Sequence, residues 1–267
     1  MILYSFLTSL FLCPALIFLS GKLKIYDVPD KRKLHKKPTS KLGGISIVIS
    51  YFLYTFLNNT FNQIFFISFS LLFFLIILDD IFSLNRYFRL FVQILSSLIL
   101  ILGNLNSGYL PIILVLFICI TFINLFNFFD GLNTLLGSQF CFILLTYLLL
   151  DSKIFDLNLI HEEILISVFS TLGFLIFNAF GLIFMGDIGS CFTGLLISNI
   201  FIENILNFSF EKLLLIFTPL LPLLVDTSLT ILIRLKNGEK FFSTPHNQHA
   251  YQLLSKMKFK HIQISFI

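Results

Sequence analysis

Charged residues are scarce in this chain. Only 12% of its 267 residues are Asp, Glu, Lys or Arg, whereas soluble domains contain roughly 25%. Hydrophobic residues make up 57%, and the mean hydropathy is +0.95. No stretch outside the apolar runs is long enough to bury a core of its own, which argues against a separate soluble domain. The composition therefore predicts one integral membrane domain over residues 1–267.

Cysteine is equally sparse. The four cysteines, Cys13, Cys119, Cys141 and Cys191, lie inside apolar runs and lack the spacing of metal ligands. We interpret them as small packing residues. The N-terminal apolar run, residues 1–20, has no basic residues before it, and its positive charges follow it, which is not typical of a cleaved signal peptide. It is predicted to be a retained first helix.

Long apolar runs dominate the rest of the sequence. A spanning helix needs roughly 20 mostly apolar residues, and the predicted fold is an all-α, polytopic transmembrane bundle. We expect about nine complete helices and the start of a tenth after Lys260, which indicates a truncated C-terminus. The nine are residues 1–20, 43–57, 64–79, 90–103, 109–124, 135–150, 162–178, 189–203 and 212–233.

Charge alternates between successive loops. Most Lys and Arg residues lie in 22–42, 79–89 and 234–260, while the loops between these carry mostly acidic residues. The positive-inside rule then places the N-terminus outside. The predicted cytoplasmic loops lie near 22–42, 79–89, 124–134, 179–190 and 234–260.

Several acidic residues lie at the ends of apolar runs on this one predicted face. They are Asp79, Asp80, Asp130 and Asp187. A carboxylate beside hydrocarbon costs free energy unless it is solvated, paired or bound to a cation. Magnesium in proteins is typically held by one or two carboxylates together with water and substrate phosphates. The pattern predicts a site for a divalent metal and a phosphate.

Polar residues recur around these acids. Asn124, Asn127, Asp130 and Asn133 follow one another at every third position, a spacing that aligns them along a helical turn and suits recognition of a nucleotide. The segment 186–190, Gly-Asp-Ile-Gly-Ser, stands at the start of an apolar helix, where free N–H groups attract phosphate oxygens.

The last predicted loop combines His246 and His249 with several lysines. Two imidazoles beside Lys side chains would neutralise a diphosphate, although lysines such as Lys256 also suit contact with anionic lipid. Asp226 lies deeper in the last predicted span, where it is either a functional carboxylate or a buried hydrogen-bonding group. We weigh the two roles for Asp226 equally.

Taken together, these segments resemble the polyprenyl-phosphate N-acetylhexosamine-1-phosphate transferase family, glycosyltransferase family 4. The closest resemblance is to the branch that initiates O-antigen and other surface glycans, which is related to phospho-N-acetylmuramoyl-pentapeptide transferase. The matching segments are 26–44, Asp79-Asp80, 89–93, 124–131, 184–190 and 246–252.

The resemblance implies an enzyme that transfers a sugar-1-phosphate from a UDP-N-acetylhexosamine to undecaprenyl phosphate and releases UMP. It implies Mg²⁺, with Mn²⁺ as a substitute, and a multi-pass protein of the bacterial cytoplasmic (inner) membrane whose active site faces the cytoplasm. Membrane lipid is an expected partner and nucleic acid is not. The oligomeric state is left open, with a homodimer as one arrangement.

The resemblance also assigns roles to residues. Asp79, Asp80 and Asp130 are predicted to be catalytic, with Asp187 and Asp80 as metal ligands. Asn133 stands where the family usually has Asp. Two alternatives stay open at this stage: a family member that binds lipid phosphate without transferring sugar, and a membrane transporter. The predicted substrate-binding residues are Lys41, Asn124, Asn127, Asn133, His246 and His249.

Overall fold

The structure is a computed structural model that describes residues 1–29, 37–104, 112–153, 160–205, 210–238, 249–257 and 261–265. Within these ranges the chain is almost entirely helical, which confirms the predicted all-α polytopic bundle. The helices are α1 (Ile2–Leu23), α2 (Gly43–Leu57), α3 (Gln63–Phe82), α4 (Arg86–Asn104), α5 (Ile112–Phe129), α6 (Leu135–Lys153), α7 (His161–Ala179), α8 (Gly186–Ile205), α9 (Phe210–Phe217), α10 (Leu221–Lys236), α11 (Ala250–Lys256) and α12 (His261–Ser265).

The predicted spans coincide with helices. In the described part of the chain, seven helical segments are long and apolar enough to cross a membrane, and α2 and most of α6 form two shorter apolar helices. The ninth predicted span, 212–233, is interrupted by a 3-10 turn at Thr218–Leu220. Pro219 and Pro222 cause this break, since proline lacks the N–H that a continuous α-helix needs. The short α12 lies where the tenth helix was predicted.

Helix α8 forms the centre of the bundle. It packs against α2, α3, α4 and α5, and each of its residues except Asp187 and Glu203 is buried. Peripheral helices expose large apolar side chains on their outer faces, for example Phe11 of α1 and Ile113 of α5. A helix that is buried on all sides suits the middle of a membrane bundle, and exposed apolar faces suit lipid. The two residues of α8 that are not fully buried, Asp187 and Glu203, lie at its opposite ends.

Several helices extend further toward the predicted cytoplasmic face than the hydropathy pattern indicated. The loops expected at 79–89, 124–134 and 179–190 are correspondingly shorter. Helix α3 continues to Phe82, because Ser83 adopts a left-handed conformation and its N–H donates to the carbonyl of Asp79 at 2.8 Å. Helix α5 continues to Phe129, so Asn124 and Asn127 lie on a helix. A hydropathy pattern ends a predicted span at the first polar residue, whereas the backbone hydrogen bonds of the helix continue past that residue.

One small sheet is the only strand structure among the described residues. Strands β1 (Tyr26–Asp27) and β2 (Thr39–Ser40) pair antiparallel within the predicted first cytoplasmic loop. The carbonyl of Ser40 also accepts a hydrogen bond from the N–H of Phe184 at 2.7 Å. This contact joins the segment before α2 to the segment before α8.

The first turns of α2 and α8 touch each other through their backbones. A Cβ added to Gly44 would overlap the backbone N and Cα of Gly189 and would lie 2.8 Å from the carbonyl oxygen of Met185. The N–H of Gly44 donates to that same carbonyl at 2.8 Å. Only glycine permits two helix starts to approach so closely.

Replacing Gly44 with Ala should therefore destabilise the bundle. The added methyl group meets backbone atoms that cannot move aside, so we expect a loss near the upper end of the roughly 1–3 kcal/mol usual for overpacking. Thermal unfolding of the detergent-solubilised protein measures the change. Gly21→Ala is the control, because its Cβ would meet only the flexible tip of Tyr26 at 3.2 Å. An equal effect of the two substitutions would contradict the packing argument.

Candidate active site

A polar cleft opens at the end of the bundle where α2 and α8 begin. Its volume is about 220 Å³. The lining combines four carboxylates and one lysine with a few apolar side chains and a glycine: Asp27, Lys41, Leu42, Ile76, Asp80, Asp130, Phe184, Gly186, Asp187 and Ile188. The structure thus brings together Lys41, Asp80, Asp130 and Asp187, four of the residues predicted for the site.

The four carboxylates come from four different elements. Asp27 lies on β1, Asp80 in the last turn of α3, Asp130 in the turn after α5 and Asp187 in the first turn of α8. Lys41, the only basic residue of the described lining, forms an ion pair with Asp80. The cleft therefore carries an excess of negative charge, which favours a bound cation.

The carboxylates are spread around the cleft rather than gathered at a point. Among the described residues, no three His, Cys, Asp or Glu side chains are close enough to form a metal cage. Magnesium does not need one, because substrate phosphates and water complete its octahedron. Asp80 and Asp187 both line the cleft and fit that sparse ligand set. The Mg²⁺ site remains a prediction.

Asp130, in the turn after α5, has a strongly raised pKa. The pKa of its carboxyl group is raised to about 7, mainly by burial and also by the negative charges of Asp187 and Asp27, against a lowering effect of the Gly186 N–H. A carboxyl group with a pKa near 7 exchanges its proton readily at neutral pH. This supports the catalytic role predicted for Asp130.

Asp79 faces a different environment from its neighbour Asp80. One of its carboxylate oxygens accepts the N–H of Leu84 at 2.8 Å, and the other lies 3.3 Å from the guanidinium of Arg89. These contacts fix the short turn between α3 and α4. The catalytic role of Asp79 stays a prediction, while the contacts favour Asp80 as the carboxylate that reaches the cleft.

The predicted stripe of amides does not form a single surface. The Asn124 side chain exchanges hydrogen bonds with Gln93 of α4, with its Nδ2 3.0 Å from the glutamine Oε1. Asn127 accepts a hydrogen bond from Ser190 at 2.8 Å and so joins α5 to the start of α8. Asn133 lies in the turn before α6, beside Gly181. The substrate-binding roles of the three amides stay predictions. Two of the side chains, Asn124 and Asn127, already hold helices together.

Sequence reasoning missed two residues that shape this region. The side chain of buried Asn178 accepts a hydrogen bond from the N–H of Thr134 at 2.6 Å and donates one to the carbonyl of Ile183 at 2.8 Å. These two bonds connect the loop before α6 to the loop before α8. Asp27 lines the cleft from β1. The sequence signal for Asp27 is its position in segment 26–44, which matches the family. A single Asp in a basic loop, however, does not by itself predict that the loop folds against the cleft.

His249, just before α11, lies against the helical bundle. His249 is 5% exposed, and its Nδ1 donates to a carboxylate oxygen of Asp226 at 2.8 Å. The other oxygen of Asp226 accepts the N–H of Ala250 at 2.8 Å. Asp226 is therefore a partly buried group whose hydrogen bonds anchor α11, which supports the structural role, one of the two left open. His246 lies outside the described residues, and its role stays a prediction.

Helix α11 covers the turn that carries Asp130. The Tyr251 hydroxyl donates to the carbonyl of Phe128 at 2.8 Å, and the tyrosine ring stacks on His249 at a centroid distance of 5.6 Å. A Cβ on Gly131 would approach the Tyr251 hydroxyl to 2.6 Å. The Asp226–His249 pair thus positions the turn of Asp130 through Tyr251, rather than by lining the cleft itself.

Two helix N-termini meet beside Lys41. Gly186 has φ +71°, and a side chain there would overlap the carbonyl oxygen of Lys41, so glycine is needed where α8 begins. The N–H groups of Gly43 and Gly44 donate to the carbonyls of Phe184 and Met185, but the dipoles of both helices still place partial positive charge here, which attracts phosphate oxygens. Positive potential from Lys41 and the helix starts, next to four carboxylates, suits a phosphate bound together with a metal ion.

The bundle and its cleft define a polytopic membrane protein with an acidic, phosphate-compatible site at one end. The sequence model of glycosyl transferase family 4 matches residues 63–204, slightly more than half of the chain. The chain belongs to this family, which confirms the family predicted from the motifs. The match includes Asp80, Asp130 and Asp187.

Two relatives support the assignment. A Bacillus subtilis (strain 168) protein named a probable undecaprenyl-phosphate N-acetylglucosaminyl 1-phosphate transferase is 25% identical over 96% of this chain and 77% of its own length. A Thermotoga maritima protein named undecaprenyl-phosphate alpha-N-acetylglucosaminyl 1-phosphate transferase is 28% identical over 75% of this chain and 65% of its own length.

The raised pKa of Asp130 predicts a pH dependence of stability. The folded state holds this proton up to about pH 7, whereas the unfolded state releases it near the usual value of 3.8. The stabilisation is therefore complete below about pH 4 and is lost as the pH rises through 7. In chelator-treated protein, Asp130→Asn should flatten the decline of the unfolding temperature over this range. Parallel curves for both proteins would contradict the assignment.

Proposed function

We propose that this protein transfers N-acetylhexosamine-1-phosphate from a UDP-sugar to undecaprenyl phosphate and releases UMP, the first membrane step of a surface glycan. The observation that carries the proposal is the cleft itself, in which Asp80, Asp130 and Asp187 surround Lys41 at two helix starts. The names of the relatives support undecaprenyl phosphate as acceptor and N-acetylglucosamine as the sugar.

The donor diphosphate would lie at the starts of α2 and α8. Asp187 and Asp80 would hold Mg²⁺, which supplies positive charge to the diphosphate oxygens when bound. Lys41, now paired with Asp80, would turn to a phosphate oxygen once Asp80 contacts the metal. Gly186 leaves room for the substrate to approach the backbone of α8.

The reaction needs little covalent assistance from the protein. An oxygen of the lipid phosphate attacks the phosphorus that carries the sugar, a new P–O–P linkage forms, and the bond to the UMP oxygen breaks. Asp130 would take the proton from the lipid phosphate, for which a pKa of about 7 is well matched. Positioning and neutralisation of charge supply the rest of the rate increase.

The acceptor lipid would approach from the membrane. The exposed surface beside the cleft includes Ile77, Ile81 and Phe82 of α3, next to Asp80. Such an apolar face suits a polyprenyl chain while its phosphate reaches the carboxylate end of the helix. With the positive-inside orientation of the loops, the cleft would open to the cytoplasm of a bacterium, where UDP-sugars are made.

Substituting Asp187 tests the proposal most directly. Asp187→Asn should lower lipid-dependent UMP release at least about 100-fold, since a metal ligand is replaced by a neutral amide. The assay uses detergent-solubilised protein with Mg²⁺, undecaprenyl phosphate and UDP-N-acetylglucosamine. Added Mn²⁺ should support transfer by the unsubstituted protein.

The matched control is Glu162→Gln, which removes one exposed carboxylate at the other end of the bundle. It should retain full transfer. Lipid binding without any UMP release by the unsubstituted protein, across a panel of UDP-sugars, would instead indicate a family member that has lost transfer. Unchanged Mg²⁺-dependent transfer in Asp187→Asn would remove the metal assignment.

A further inference from the structure

Four residues other than glycine adopt a left-handed backbone conformation in the described part of the chain. Lys24, Asn59 and Ser83 stand at or directly after the C-terminal end of a helix, where this conformation is common because it ends the helix. Thr134 differs from these three. It stands directly before α6 and has φ +68°. A residue before a helix normally has an extended backbone, so helix geometry does not explain the conformation of Thr134.

Threonine is also an unfavourable residue for this conformation. In the left-handed region the Cβ atom crowds the backbone, and the branch at Cβ adds to the crowding. Such a conformation persists only where surrounding contacts hold it, and strained residues of this kind cluster at functional sites. The strain at Thr134 therefore indicates that neighbouring groups hold this turn and that a function needs the turn to be held.

Hydrogen bonds to two distant parts of the chain hold Thr134. Its N–H donates to the side chain of Asn178 in the last turn of α7 at 2.6 Å. Its hydroxyl lies 2.8 Å from the hydroxyl of Ser265 in α12, and either group can be the donor. Ser265 stands 131 residues further along the chain. Thr134 is thereby connected to both α7 and α12.

Ser265 is itself well anchored. It is 5% exposed, and its hydroxyl also lies 3.1 Å from the carbonyl oxygen of His261. The neighbouring Ile264 is buried, and α12 packs against α6 and α11. A buried hydroxyl keeps its hydrogen-bond partners, because leaving it without one is costly. The contact between Ser265 and Thr134 is therefore a defined connection between α12 and the start of α6.

The turn that Thr134 closes contains Asp130. The Tyr251 hydroxyl holds one end of this turn by its hydrogen bond to Phe128, and the buried side chain of Leu132 anchors the middle. Thr134 holds the other end, directly before α6. Asp130 lies between these points and lines the cleft. Both ends of the turn are thus fastened, one to α11 and the other to α12.

We propose that Thr134 and Ser265 are positioning residues for the transfer reaction, because their hydroxyl pair clamps the strained turn and keeps the carboxyl group of Asp130 at the cleft. This inference rests on the proposed function, in which Asp130 takes the proton of the lipid phosphate. Neither Thr134 nor Ser265 is among the described residues that line the cleft. A displacement of about 1 Å at a reacting group can cost roughly 100-fold in rate, so a clamp outside the cleft controls the rate without touching the substrate.

The kinetics of lipid-dependent UMP release by the detergent-solubilised full chain test the clamp. Ser265→Ala removes one hydroxyl, and Thr134→Val removes the other while it keeps the shape of the side chain. Each variant should lower kcat about 10-fold, the effect of one lost hydrogen bond. The KM for UDP-N-acetylglucosamine should stay within about 2-fold, because a displaced Asp130 weakens the transition state and not the binding of the donor.

Three further variants make the result specific. Because the two hydroxyls act through one contact, the double variant Thr134→Val with Ser265→Ala should lose no more activity than either single variant. Thr134→Ser keeps the hydroxyl and should retain kcat within about 2-fold. The matched control is Thr146→Val, which removes a hydroxyl of α6 that donates to the carbonyl of Phe142 one turn earlier. This control should transfer at the full rate.

Hydrogen exchange, measured by mass spectrometry, gives a readout that needs no activity. Ser265→Ala should speed exchange about 10-fold in peptides that cover residues 131–135 and leave peptides from the middle of α8 unchanged. Unchanged exchange and kcat in both single variants, multiplied losses in the double variant, or a raised KM with unchanged kcat would each overturn the proposal. Faster exchange in a protein that shows no transfer at all would overturn the proposed function and the positioning role with it, and would leave the hydroxyl pair as a contact of the fold.

Discussion

The starts of α2 and α8 lie backbone against backbone, and the cleft exists because of this contact. Gly44 rests on Gly189, and Gly186 leaves room for the carbonyl of Lys41. The first contact sets the distance between two positive helix ends, and the second places Lys41 beside Asp187. A larger residue at any of these glycines would separate the helices and displace the charges that line the site.

Polar side chains at this end of the bundle divide into two groups. Asp79, Asn124, Asn127 and Asp226 use their hydrogen bonds to hold helices and turns. Asp80, Asp130 and Asp187 face the cleft. A buried polar side chain in a membrane bundle needs a hydrogen-bond partner. The residues of the first set satisfy this need among themselves and their neighbours, and they thereby fix the positions of the three carboxylates of the second set. Rigid placement of a few carboxylates is what transfer of a phosphoryl group requires.

Helix α8 joins two acidic sites of different character. Its first turn contributes Asp187 to a cleft of about 220 Å³, and its last turn contributes Glu203 to a cavity of about 10 Å³. The larger space is lined by four carboxylates and a lysine, while the smaller one has room for about one water molecule. The helix between them is buried on all sides, so both sites lie on one element that its neighbours hold along its whole length.

The sequence by itself determined the membrane bundle, its helical segments and the acids of one face, because hydropathy and charge act locally and leave a direct pattern along the chain. It also identified the family through short motifs. Only the tertiary structure decided which polar residues face the cleft: of the adjacent Asp79 and Asp80, each paired with a basic side chain, only Asp80 lines it, and Asp27 joins from a distant hairpin. That choice depends on which helix packs against each side chain, and no local pattern encodes it.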